Sequence, residues 1–299
     1  MNSTKECKEE DYEHRNCTIR RNGKGAYQIG ALKAIRENIN IDDIKCMSCA
    51  SIGVLNGYSF LMNRLDDAEK MYLSLCSDNS RLFINQILRS SILQHDIKNI
   101  CTEKDMVEKD FFISLLNMSN KTIEYRNLYH EKPEKIPELL KASVAMPIYN
   151  KAVMVESKKY FDGAMVDNIP VYPLLEKNLD LIICLYFDEE YYLFENQIFD
   201  QKVLKITFPT KSILMESLIF NADEIKKNID KGYKRTDTIL KMLFQENMST
   251  KAVKYRIAQI NGERNKSIRI TGDLIVTNLN RVLQKFIKRK IELEDGCNV

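Results

Sequence analysis

The sequence predicts an α/β fold built around a parallel sheet, and three observations carry that expectation. Apolar runs of strand length alternate along the chain with stretches of helical periodicity. The run from Leu179 to Phe187 is apolar on both faces, as a central parallel strand covered by helices must be. Between a short strand at 44–49 and a helix at 51–63 stands a serine, Ser51, at a sharp bend.

Taken in order, residues 1–22 are polar and have no period. A helix is expected over 25–37, with Tyr27, Ile29, Leu32, Ala34 and Ile35 on its apolar face. Residues 66–76 and 80–100 carry apolar side chains at helical spacing, among them Leu82, Phe83, Ile87, Leu88, Ile92 and Leu93. The stretch 105–117 reads as a further helix, followed by a strand near 122–128 and a short helix from Pro137 to Ser143. Residues 152–161 alternate as a strand that ends in Asp162-Gly163, and Val203 to Phe208 is another strand. From about Ala222 the chain reads as helical and Lys-rich, with Ile239, Leu240, Met242, Leu243 and Phe244 on one face.

Composition narrows the function. A chain of 299 residues with 44% hydrophobic side chains can bury a large core. The balance of 45 basic and 42 acidic residues leaves +3, and no basic stripe interleaves with aromatics, so a nucleic-acid partner is not expected. Eight cysteines are too sparse for a disulfide framework and suit a reducing, cytoplasmic setting. No run of 18 apolar residues occurs, and Met1 to Glu13 lacks an apolar signal core. The expectation is a cytoplasmic protein with, at most, peripheral contact with a membrane.

Three segments carry chemistry. Cys49-Ala50-Ser51-Ile52-Gly53 follows the nucleophile-elbow pattern G-x-S-x-G, with Cys49 in place of the first glycine. Gly23-Lys24-Gly25 opens a helix, and N–H groups at a helix start can hold an anion. Asp162-Gly163-Ala164 follows a strand. Alone, Ser51 reads as an N-cap and Asp162-Gly163 as a turn; the combination points further. A serine hydroxyl needs an adjacent base. None of the three histidines, His14, His95 and His130, sits in a strand-to-turn context, which leaves a carboxylate. Cys46-x-x-Cys49 has no second pair and reads as packing, so neither a metal nor another cofactor is expected.

These segments together resemble the patatin-like phospholipase family, over roughly residues 17–190 and more faintly to about Tyr233. Leu55-Asn56 after the elbow, Ala142-Ser143 with Pro147, and Asn168-x-Pro170 add to the likeness. The resemblance implies a three-layer α/β sandwich with a mostly parallel central sheet. It implies a lipid or acyl-ester substrate, Ser51 as nucleophile and Asp162 as base. It places Gly23, Lys24 and Gly25 at the oxyanion turn, with Cys49, Gly53, Gly163 and Asn168 supporting the elbow and the base loop. The expected organisation is a catalytic domain over 17–210 with a helical insertion at about 64–117, whose 80–117 part supplies an apolar acyl groove. A helical extension covers 211–299.

The sequence departs from the family upstream. Arg20, Arg21 and Asn22 stand where glycines should let the backbone turn its N–H groups inward. The stretch His14 to Ile19 would carry charge into a buried strand. Back-translating Tyr12 to Gly23 and reading one nucleotide later permits M-N-I-E-I-V-L-L-E-G-M-G, an apolar strand and a glycine turn. Residues 1 to about 22 are therefore expected to be a shifted reading of the family's first strand. The rival to an active hydrolase is a patatin-fold relative that binds lipid or a partner without turnover.

Overall fold

The computed structural model describes residues 22–74, 97–102, 104–147, 150–177, 179–187, 202–208, 222–244, 250–267 and 288–291. Helix α1 (Asn22–Asn38) leads through a 3-10 turn into strand β1 (Cys46–Cys49), helix α2 (Ile52–Leu61) and helix α3 (Leu65–Ser74). Strands β2 (Asp110–Asn117) and β3 (Thr122–Asn127) form a hairpin, followed by helix α4 (Ile136–Ser143). A second hairpin, β4 (Val153–Val155) and β5 (Lys158–Asp162), precedes the short helix α5 (Tyr172–Leu175). Strands β6 (Ile182–Phe187) and β7 (Val203–Phe208), helices α6 (Ala222–Leu243) and α7 (Thr250–Ser267), and strand β8 (Lys288–Ile291) complete the described chain.

The fold is mixed α/β with a central sheet and packed helices, and the sheet corrects the expectation of mostly parallel strands. Six strands run β4-β5-β2-β3-β8, with β1 also paired to β2. β1–β2 and β3–β8 are parallel, whereas β2–β3, β2–β5 and β4–β5 are antiparallel. The doubly apolar run holds as a parallel strand, but β6 pairs β7 in a separate two-stranded sheet.

The helix expected over 105–117 is instead the central strand β2 from Asp110 on, with seven of its eight residues buried. A segment apolar on both faces has no amphipathic period to separate strand from helix. The turn after it, with Lys121 at φ 55°, is the feature that marks a hairpin. The tail expected to be helical also carries strand β8, where pairing with the open edge of β3 overrides local preference. Met242 and Phe244, expected to share one face with Ile239, Leu240 and Leu243, are both 44% exposed. The face that does pack is Ile225, Ile229, Gly232, Thr236, Ile239, Leu240 and Leu243. Most of the 80–100 stretch and all of 1–21 lie outside the described residues.

Register explains how the sheet assembles a site. β3 takes one edge of β2, and the other edge is shared by β1 over its first half and β5 over its second. β1 runs forward and ends with Cys49 opposite Ile113; β5 runs backward and ends with Asp162 opposite Leu115. The two strand ends meet, with Ser114 of β2 between them. Phe111, Ile113 and Leu115 point into the main core beneath helices α1 to α4 and α6, whereas Leu116 joins a smaller cluster on the other face. Opposed residues share a face, so Asp162 projects towards the helices.

Helix α1 is held by α6 at a crossing that only glycines allow. A Cβ on Gly30 would stand 1.9 Å from the Ile229 carbonyl oxygen, and one on Gly232 would stand 2.1 Å from that of Tyr27. Asn38 donates to Asp237 at 3.0 Å at the far end of the pair. Helix α7 closes the edge of β7: the Asn261 side chain donates to the Val203 carbonyl at 2.8 Å and accepts from the Lys205 N–H at 3.1 Å. That amide makes the two bonds a neighbouring strand would make.

Candidate active site

Ser51 stands between β1 and α2 with φ 55° and ψ −137°, a conformation side chains resist at a cost of about 1–3 kcal/mol. It occupies the N-cap position, yet its hydroxyl makes no capping bond. Ser51 Oγ donates instead to Asp162 Oδ2 at 2.5 Å. The strained bend and the missing cap have one cause: the side chain is turned from its own helix towards the end of β5. The first helical amide, that of Ile52, has no intrahelical acceptor, which leaves it available beside the hydroxyl.

Asp162 is fully buried, and a carboxylate there needs hydrogen bonds to be tolerated. Its Oδ1 accepts from the Ala164 N–H at 2.9 Å, so the two oxygens have separate partners. Its own N–H donates to the Ala145 carbonyl at 2.8 Å. The Ala142-Ser143…Pro147 stretch thus anchors the backbone that carries the carboxylate. Gly163 is required by space, since a Cβ there would lie 2.5 Å from the Ser114 carbonyl carbon. Asn168 sits half-buried in the bend that follows, and among the described residues no hydrogen bond joins its side chain to Ser51 or Asp162. Its neighbour Asp167 is the bonded one, accepting from the Tyr125 hydroxyl.

Cys49 fits at the elbow because of a residue the sequence reading passed over. Its Sγ lies against Gly57 of α2, where an added Cβ would approach to 2.8 Å. Bulk gained at position 49 is matched by bulk absent at 57. Burial pushes the Cys49 thiol up to about 12, so it stays protonated near neutral pH. Cys46 is pushed up to about 11, first by burial and then by the charge of Asp110, and both sulfurs are free. Gly53 has room: a Cβ there would meet only the Gln28 amide at 3.5 Å.

Gly23, Lys24 and Gly25 lie in the first turn of α1, so the helix starts earlier than the sequence suggested. Gly25 is tied to α2. Asn56 Nδ2 donates to the Gly25 carbonyl at 3.1 Å and to Gln28 Oε1 at 3.0 Å, and the Tyr72 hydroxyl of α3 donates to Asn56 Oδ1 at 3.1 Å. Ala145 and Tyr72 carried no signal in the sequence, whereas Ala164 stood in the Asp-Gly-Ala segment. Gly57 carried one, as an isolated glycine inside a helical pattern.

Chemically, the arrangement offers a serine hydroxyl at a strained bend, bonded to a buried carboxylate and standing at the start of α2. Among the described residues no cluster could hold a metal ion, and no helix is long and apolar enough to cross a membrane. No curated protein matches the chain. The family model described as Patatin-like phospholipase matches residues 23–175.

Proposed function

The chain belongs to the patatin-like phospholipase family, and we propose that it is a serine acyl hydrolase cleaving lipid ester bonds through an acyl-Ser51 intermediate. The observation that carries this reading is the 2.5 Å bond from Ser51 to Asp162. Asp162 Oδ2 takes the hydroxyl proton as Oγ attacks the ester carbonyl carbon. The resulting oxyanion is met by the Ile52 N–H and by amides of the first turn of α1, at Gly23 to Gly25. Collapse of the tetrahedral species breaks the ester bond, and the leaving alcohol receives the proton from Asp162. Asp162 then deprotonates a water, which attacks the acyl carbon, releases the fatty acid and restores Ser51. Membership supports a lipid substrate. In this reading Gly163 lets the base loop approach β2, Cys49 and Gly53 shape the elbow, and Asn168 lies on the loop beyond the base. We further propose a cytoplasmic enzyme that meets its substrate at a membrane surface.

One observation favours a second reading, binding of lipid or a partner without turnover: Arg20, Arg21 and Asn22 occupy the places of the glycine triplet. The two readings separate on hydrolysis of a short-chain nitrophenyl ester by the parent chain and by Ser51→Ala. An active enzyme loses roughly 10⁴-fold or more in rate on losing its nucleophile. Equal rates for both proteins would sink the hydrolase reading.

A further inference from the structure

The proposed chemistry needs the amides at the start of α1 to hold a fixed position relative to Ser51, yet α1 and α2 are separate helices. What joins them at this end is a chain of side-chain hydrogen bonds. The Gly25 carbonyl can only accept, so the Asn56 amide must turn its nitrogen towards it. That orientation sends the second Nδ2 proton to Gln28 Oε1 and leaves Oδ1 facing the Tyr72 hydroxyl, which must donate. Asn56 is 1% exposed and Tyr72 also 1%, so the bonds to the Gly25 carbonyl and from the Tyr72 hydroxyl are shielded from water. Burial pushes the Tyr72 phenol well above its ordinary range, so it remains a donor at any working pH. The Gln28 amide in turn lies along Gly53, two residues beyond Ser51.

Packing reinforces the bonds. A Cβ on Gly25 would stand 1.9 Å from the Tyr72 hydroxyl oxygen and 2.7 Å from Cζ. The first turn of α1 is therefore pressed directly onto Tyr72. On the far side, the Gly30–Gly232 crossing fixes the middle of α1 against α6. α1 is pinned at two points, and the pin nearer the proposed oxyanion site is made by Asn56 and Tyr72.

We propose that Tyr72 and Asn56 are positioning residues: their hydrogen-bond relay to the Gly25 carbonyl sets the distance between the first-turn amides of α1 and Ser51. The inference rests on the acyl-hydrolase reading for its catalytic consequence and on geometry alone for its structural one. The two are tested separately. Tyr72→Phe keeps the ring and removes only the hydroxyl; Asn56→Asp keeps the shape and removes the donor to Gly25.

Hydrogen exchange over residues 22–28 reads the relay without any activity. Both variants should exchange faster there than the parent, with the core strand β2 unchanged. Unchanged exchange at 22–28 overturns the proposal even for a chain with no turnover. If the parent exceeds Ser51→Ala in ester hydrolysis, each variant should lose roughly 10- to 100-fold in kcat while KM stays within about twofold. The double variant should lose little more than the worse single, because one relay is broken in both. A kcat within twofold of the parent, or losses that multiply in the double variant, overturns the positioning role. Equal rates for the parent and Ser51→Ala with faster exchange at 22–28 in both relay variants would reject the hydrolase reading and leave the relay standing.

Discussion

The closest backbone approach between α1 and α6 gives the sharpest stability prediction. In Gly232→Ala the new Cβ would lie 2.1 Å from the Tyr27 carbonyl oxygen and 2.9 Å from its carbon. An ordinary contact lies at roughly 3.5 Å, so the helices must part by more than about 1 Å. The obstacle is backbone in a helix, which cannot swing aside as a flexible side chain would. The cost belongs at the top of the overpacking range, about 3 kcal/mol, a fall in Tm of roughly 5 °C for a chain of this size. Gly30→Ala should cost as much, because its Cβ meets the Ile229 carbonyl at 1.9 Å. Both glycines guard one crossing, so helices already parted for one substitution admit the other more cheaply. The double variant should fall short of the summed losses by at least about 1 kcal/mol. Gly53→Ala is the control, since its Cβ would find 3.5 Å of clearance, and its Tm should stay within about 2 °C of the parent. Thermal melts of the four variants decide the matter. A Gly232→Ala protein melting within 2 °C of the parent, or single losses that add in full, would refute the backbone-contact reasoning.

Three further outcomes follow from particular contacts. Gly57→Ala should destabilise by about 1–3 kcal/mol, and Cys49→Gly in the same chain should recover part of that, because the added Cβ meets Cys49 Sγ at 2.8 Å and the Phe111 ring at 3.1 Å; no recovery in denaturant melts would remove the compensation. Burial alone would raise Asp105, but the Arg64 guanidinium, the Thr102 hydroxyl and N–H and the Tyr58 hydroxyl outweigh it and hold the carboxyl below its ordinary value. A lowered folded value means its stabilisation is complete above about pH 4 and is lost as pH falls below that; Asp105→Asn should flatten this part of the acid-denaturation profile, and an unchanged profile would contradict it. Asn261→Ala should cost about 1–3 kcal/mol by leaving the Val203 carbonyl and the Lys205 N–H of β7 without their side-chain partner; a chemical melt indistinguishable from the parent's would show that the edge of β7 needs no such cover.

Ser51 and Asp162 were legible in the sequence because each sits in a local pattern: a strand-to-helix bend with glycine two residues on, and a strand that ends in Asp-Gly. What brings them together was not legible. The juxtaposition depends on β1 and β5 approaching end to end along one edge of β2, and β2 itself was read as a helix. A strand buried on both faces shows no alternation, so its identity depends on neighbours far along the chain. The same limit hid the supports. Ala145 acts through a backbone carbonyl, which every residue type has, so no side-chain pattern could mark it. Gly30, Gly57 and Gly232 were each visible as glycines inside helical stretches, where the residue costs about 1 kcal/mol relative to alanine. That cost is a signal that something touches the helix there, and the structure supplies it in each case: a carbonyl, a sulfur, a carbonyl. A chain that accepts three such penalties in the helices around one serine is holding those helices at fixed and unusually short distances. An elbow with cysteine in its first glycine position depends on that spacing, because the sulfur of Cys49 occupies the space left by Gly57.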